Sequence, residues 1–112
     1  MQAPQRATLL RVFVGERDRH GHQPLYEAIV KQARDRGLAG ATVMRGLLGY
    51  GRSSVLHAAK ILELSEDLPL IIEIVDTEEK IQHFLPELDG MITSGLITLE
   101  QVQVLQYGTP RK

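Results

Sequence analysis

The chain contains no cysteine and no tryptophan, and its aromatic content is confined to two Phe and three Tyr. Without thiols there is no disulfide framework, no thiolate zinc site, no cysteine nucleophile and no thiol redox switch. Charge of one sign is also missing, with 13 Lys+Arg against 14 Asp+Glu and a formal net charge of -1. That removes the basic footprint by which proteins hold phosphate backbones, so nucleic acid is not an expected partner. No apolar run approaches the ~18 residues of a membrane span, and Met1-Gln2-Ala3-Pro4-Gln5-Arg6 lacks the apolar core of a signal peptide. The expectation is a cytoplasmic protein without direct membrane insertion. What is present is a chain of 112 residues, 43% hydrophobic, which reads as one domain over 1–112. A chain of this size buries about two-thirds of the surface its unfolded form exposes. Little is left over for a deep private active site, which favours sites shared between subunits.

Thr8-Leu9-Leu10-Arg11-Val12-Phe13-Val14 is β-branched and apolar and stops at Gly15, which predicts a strand over 8–14. Residues 15 to 23, charged and carrying Gly15 and Gly21, read as a loop. Pro24 fits a first helical position, and Leu25, Ala28, Ile29 and Ala33 recur at helical spacing before Gly37, which predicts a helix over 24–36. Ala41 to Leu48 predicts a second strand, and Leu70 to Val75, bounded by Pro69 and Asp76, a third. Asp76 is the expected cap of a second helix with Glu79 in its first turn, Ile81, Phe84, Leu85 and Leu88 on its inner face, and Pro86 as a kink or early stop. Alternation from Gln101 to Tyr107 predicts the last strand, and 108–112 a flexible tail. The order β-α-β-β-α-β is that of an α+β, ferredoxin-like sandwich: a four-stranded antiparallel sheet with both helices on one face.

Two features exceed what that fold needs. Strand alternation sends Leu10, Val12 and Val14 toward the helices and Leu9, Arg11 and Phe13 away from them. In the third strand it sends Ile71, Glu73 and Val75 to the same uncovered side. Leu9, Phe13, Ile71 and Val75 are large and apolar, which favours self-association through this face, with Arg11 and Glu73 placed to pair across it. The second feature is the connection 49–69, far longer than the ~2 to 5 residues a hairpin requires. It starts in Arg45-Gly46-Leu47-Leu48-Gly49-Tyr50-Gly51-Arg52-Ser53-Ser54. Glycines allow close approach to a backbone and arginine forks suit phosphate oxygens, although the spacing matches neither a Walker loop nor Gly-x-Gly-x-x-Gly. A purely conformational role for these glycines is an equal alternative. Ser54 to Leu64 has helix-compatible composition. His20-x-His22, with His57 or Glu16 as a third group, is the only arrangement that suggests metal, and exposed loop histidines without metal are the default reading. No nucleophile, base and orienter set is readable, so an enzyme is not expected; a small phosphohydrolase is the catalytic alternative.

Gly15-Glu16-x-Asp18, Pro24 to Val30, Gly37-Leu38-Ala39-Gly40-Ala41-Thr42-Val43-x-Arg45-Gly46-x-x-Gly49-Tyr50-Gly51, Leu68-Pro69, Ile74-Val75-Asp76 and Gly95-Leu96-Ile97-Thr98 together resemble the PII-like proteins of the domain-of-unknown-function 190 family. The resemblance implies a homotrimer with its sheets facing the centre. It also implies kinship with nitrogen-signalling PII proteins, which bind adenine nucleotides in clefts between subunits. By the same resemblance the long loop touches a partner protein, such as a membrane transporter or channel. Arg45, Gly46, Gly49, Tyr50, Gly51 and Arg52 then fall beside the implied nucleotide cleft, with Gly15 and Glu16 at its border. True PII proteins carry a lysine-containing glycine loop after the second helix. Here Leu88 to Gly95 has no Lys, which favours AMP or ADP over ATP and disfavours a 2-oxoglutarate response. Divalent-cation-tolerance proteins share the trimeric architecture, so a metal-binding trimer is the alternative that the resemblance leaves.

Overall fold

The computed structural model describes residues 4–51, 55–58 and 67–108. In chain order the elements are β1 (Gln5–Gly15), β2 (Arg19–His20), β3 (Gln23–Pro24), α1 (Leu25–Asp35), β4 (Thr42–Arg45), β5 (Leu48–Gly49), β6 (His57–Ala58), β7 (Pro69–Asp76), α2 (Glu78–Met91) and β8 (Leu96–Val104). The main sheet has the order β4-β7-β1-β8 and is antiparallel throughout. Two small ladders stand outside it, β2 with β3 and β5 with β6. This is the expected α+β sandwich, with a four-stranded antiparallel sheet and two helices.

One face of the central strands supplies the core. Leu10, Val12 and Val14 of β1 and Leu70, Ile72 and Ile74 of β7 pack with Leu25, Ile29 and Ala33 of α1 and Ile81, Phe84 and Leu88 of α2. Each such Val, Leu, Ile or Phe side chain, fully buried, stabilises the fold by roughly 1.5–3 kcal/mol relative to exposure. The helix α1 starts after Pro24, whose ψ of 138° keeps it outside the helix, rather than with it. It ends in a Schellman arrangement, in which the N–H of Gly37 donates to Arg34 O and that of Leu38 to Ala33 O, each at 3.0 Å. Gly37 adopts φ 77°, a conformation that side-chain-bearing residues avoid.

Several boundaries differ from the sequence-based expectation, and pairing explains them. β1 begins at Gln5 and β8 at Leu96, because Gln5 to Phe13 finds a complete partner in Val104 to Leu96. The alternation at 101–107 therefore marks only the second half of the strand, and residues 105–107 leave the sheet. β4 stops at Arg45 instead of continuing to Leu48, and Leu48–Gly49 pairs with His57–Ala58 in a separate ladder. That pairing also removes His57 and Ala58 from the helix compatible with Ser54 to Leu64, most of which lies outside the described residues, as do residues 109–112 of the tail. The cap of α2 is Thr77 rather than Asp76: the Lys80 N–H donates to Thr77 Oγ1 at 3.2 Å. The Asp76 carboxylate instead accepts the Ala39 N–H at 2.9 Å and the Thr77 N–H at 2.6 Å, tying the start of α2 to the approach of β4. Pro86 does not shorten α2, which runs on to Met91. It lies on the exposed side, as does Gln82, whose carbonyl loses its helical donor to the proline.

Candidate functional site

The ends of β1, β4 and β7 meet at one pole of the sheet, where Gly15 is opposite Pro69 and Arg45 opposite Leu70. Here the chain turns from β1 into a loop bound back to β7: the Glu16 N–H donates to Leu68 O at 2.8 Å and the Arg17 N–H to Asp67 Oδ1 at 2.9 Å. The Gly15 N–H donates to Asp18 Oδ2 at 2.9 Å. Across the same pole, Arg45 Nη2 meets Glu16 Oε2 at 2.5 Å, with the arginine side chain 59% exposed and the glutamate 22%. Two residues distant in sequence are thus joined where the long connection begins.

The glycines of this region do different things. A Cβ at Gly46 would stand 2.9 Å from Pro69 Cγ, and one at Gly49 3.0 Å from it, so the loop base lies directly on the proline ring. The Gly46 N–H is spent on Pro69 O at 2.7 Å. A Cβ at Gly15 would lie 2.9 Å from Asp67 Oδ1 and 3.2 Å from Asp18 Oδ1. Among the described residues Gly51 has no neighbour within 4 Å of such a Cβ. Of the expected site residues, then, Gly15, Glu16, Arg45, Gly46 and Gly49 gather at this pole around Pro69 and Asp67. Tyr50 extends into solvent, Gly51 is unhindered, and Arg52 lies outside the described residues. Beside Tyr50, the side chains of Leu47, Leu48, Val55 and Leu56 are also exposed, which gives the loop base an apolar outer surface.

Asp18 and Asp67 were not singled out by sequence reasoning as neighbours of the site. No spacing links residue 67 to the 15–18 turn; the β1–β7 register does. A recess of about 620 Å³ at the opposite pole was also missed. It opens between Ala39–Thr42 and the last described residues, where the Tyr107 hydroxyl donates to Ala39 O at 2.8 Å. Arg6 and Lys80 line it, as do Glu73 and Asp76, carboxylates that already bind Arg11 and the Ala39 N–H. It shares no residue with the arginine and glycine cluster.

The uncovered face of the sheet carries the expected ion pair, Arg11 Nε to Glu73 Oε2 at 2.7 Å, and adds a second, Arg11 Nη1 to Glu100 Oε1 at 3.2 Å. The hydrogen bond to Glu73, with the charges of both carboxylates, raises the Arg11 pKa against a smaller opposing effect of burial. Val75, Met44 and Leu96 are exposed on this face and Phe13 and Ile71 half-buried. Leu9, expected to be among the apolar residues left open, is already buried at 8% exposure, flanked in register by Val75 and Glu100. Among the described residues no group of three or more His, Asp or Glu is placed to hold a metal ion, and no helix is long and apolar enough to cross a membrane.

Comparison with known proteins gives this geometry a setting. A UPF0166 protein of Aquifex aeolicus is 43% identical over 97 residues, covering 87% of this chain and 91% of the relative. Among solved structures, a putative PII-like signaling protein from Thermus thermophilus superposes with a TM-score of 0.67 at 16% identity, covering 92% of this chain and 93% of the other. CPII, a nitrogen regulatory PII-like protein from Thiomonas intermedia solved with ADP, AMP and bicarbonate, gives 0.63 at 18% identity, covering 93% and 92%. The profile of DUF190, described as Uncharacterized ACR, matches residues 7–104. The chain therefore has a PII-like, ferredoxin-like fold and belongs to the DUF190 family.

Proposed function

We propose that this protein is a PII-like regulator, a binding protein rather than an enzyme, that assembles as a homotrimer in the cytoplasm. It takes an adenine nucleotide at the boundary between subunits and engages a second protein, such as a membrane transporter or channel, through the 49–69 loop. The observation that carries the reading is Arg45: a guanidinium more than half exposed at the base of the long connection, on a fold whose relative CPII was solved with ADP and AMP. Arg45 or Arg52 is the phosphate ligand in this reading, with Gly15, Glu16, Gly46, Gly49, Tyr50 and Gly51 bordering the cleft. Phosphate held there changes the shape of the loop, which presents or withdraws the apolar side chains Leu47, Leu48, Val55 and Leu56. AMP or ADP is preferred over ATP, because Leu88 to Gly95 offers no lysine for a third phosphate and three carboxylates, Glu16, Asp18 and Asp67, stand at the pole where it would extend.

Titration calorimetry with AMP, ADP, ATP and cyclic nucleotides tests this. Binding of AMP or ADP in the micromolar range, with ATP weaker, is expected. Failure of all of them to bind below the millimolar range overturns the nucleotide reading.

A further inference from the structure

We propose that Glu16 is a built-in competitor for the phosphate of the nucleotide, holding the Arg45 guanidinium until a ligand displaces it. The inference rests on the nucleotide reading above and concerns the same site. Three observations carry it. Arg45 is bonded to the Glu16 carboxylate at 2.5 Å, so any phosphate that uses Arg45 must break or share that bond. The carboxylate is the less exposed partner, and its backbone N–H is bound to the Leu68 carbonyl just ahead of β7, whereas the arginine side chain is 59% exposed. The arginine is therefore the side that moves. The surroundings also do not neutralise Glu16: the next acidic groups, Asp18 and Asp67, crowd Gly15 and accept backbone N–H groups, and the described residues add no second cation to the Arg45–Glu16 pair. A phosphate arriving at Arg45 meets a carboxylate of like charge that does not leave.

Such a carboxylate lowers affinity and makes it depend on ligand charge. A solvent-exposed ion pair is a weak competitor, and like-charge repulsion at a few ångströms adds to it. Removing the charge by Glu16→Gln therefore tightens ADP binding by about three- to tenfold, with a smaller gain for AMP. The pair sets a threshold nucleotide concentration for switching.

The test is calorimetry with AMP and ADP on the full chain, using wild type, Glu16→Gln, Glu16→Ala, Arg45→Ala and the double variant Glu16→Gln/Arg45→Ala. Arg45→Ala is expected to weaken binding by about 10- to 100-fold, the loss of a charge-assisted phosphate contact. Both Glu16 variants are expected to tighten it, and the gain is expected to shrink in the Arg45→Ala background because the two residues are coupled. A gain of equal size in both backgrounds means general charge relief and overturns the competition. Unchanged or weaker binding in both Glu16 variants, with wild type binding normally, makes Glu16 a ligand contact or a bystander and overturns the competition alone. Absence of binding in wild type and every variant overturns the nucleotide reading itself.

Discussion

Gly46, Gly49 and Gly51 look alike in the sequence and stand in different surroundings. The first two let the backbone lie on Pro69, whose ring cannot move aside as a flexible side chain would. At the third, no described residue stands within 4 Å of an added Cβ. The sequence offered a ligand role and a conformational role for all three as equals, since the contact that separates them is made by a residue about twenty positions away. Gly46→Ala should cost about 1–2 kcal/mol, because an added methyl here overpacks a close contact. At ~4–8 °C per kcal/mol for a domain of this size, the expected fall in thermal midpoint is about 5–15 °C. Gly51→Ala should leave the midpoint within a few degrees. If Gly51→Ala nevertheless weakens nucleotide binding, its glycine serves the ligand; a Gly46→Ala variant as stable as wild type would contradict the packing assignment.

The elements show where local signals suffice and where they do not. α1 was legible because its apolar spacing, its preceding proline and its C-terminal glycine all point to the same segment. The strands were legible at their centres, around Val12 and Ile72, and misread at their ends, since a strand extends as far as its neighbour pairs with it. β8 illustrates this: a Cβ at Gly95 would stand 2.7 Å from Phe13 O, so the strand starts at the first residue past that close approach, a limit set by β1. The cap of α2 was misassigned by one residue because Asp76 and Thr77 are both good caps, and only the position of the Ala39 N–H draws Asp76 away. Thr77→Ala should therefore cost about 1 kcal/mol, read as a shift of the denaturation midpoint with unchanged slope. Asp76→Ala, which releases two backbone donors rather than one helix cap, should cost more. Equal stability of Thr77→Ala and wild type would return the capping role to Asp76.

At the scale of the whole molecule, the sheet has one face covered by helices and one that is not. The uncovered face combines apolar Phe13, Ile71 and exposed Val75 with the Glu73–Arg11–Glu100 ladder, a pattern that suits a neighbour subunit with a fixed orientation. Light scattering at micromolar concentration should give three times the mass of one chain. Val75→Asp, at a position exposed enough for a single subunit to tolerate it, adds a third carboxylate beside Glu73 and Glu100. It should yield monomers with an unchanged far-ultraviolet circular dichroism spectrum and no nucleotide binding, because the proposed cleft lies between two subunits. A wild-type protein that sediments as a monomer would remove the assembly, and nucleotide binding by a monomeric Val75→Asp would remove the shared cleft.

Periodicity, composition and turn residues determined the two helices, the central strands β1 and β7, which sheet face is buried, and that the 49–69 connection exceeds what folding needs, since each is a property of residues close in the chain. They also allowed the Arg11–Glu73 pair to be anticipated, because strand order and alternation fix which residues are opposite. Only the tertiary structure joined Glu16 to Arg45, placed Asp67 against Gly15, laid Gly46 and Gly49 on Pro69 and turned Asp76 away from its own helix. These contacts link residues from about twenty to more than fifty positions apart. Their geometry depends on strand register and on where each ladder ends, which is decided by pairing between distant segments and not by any local pattern.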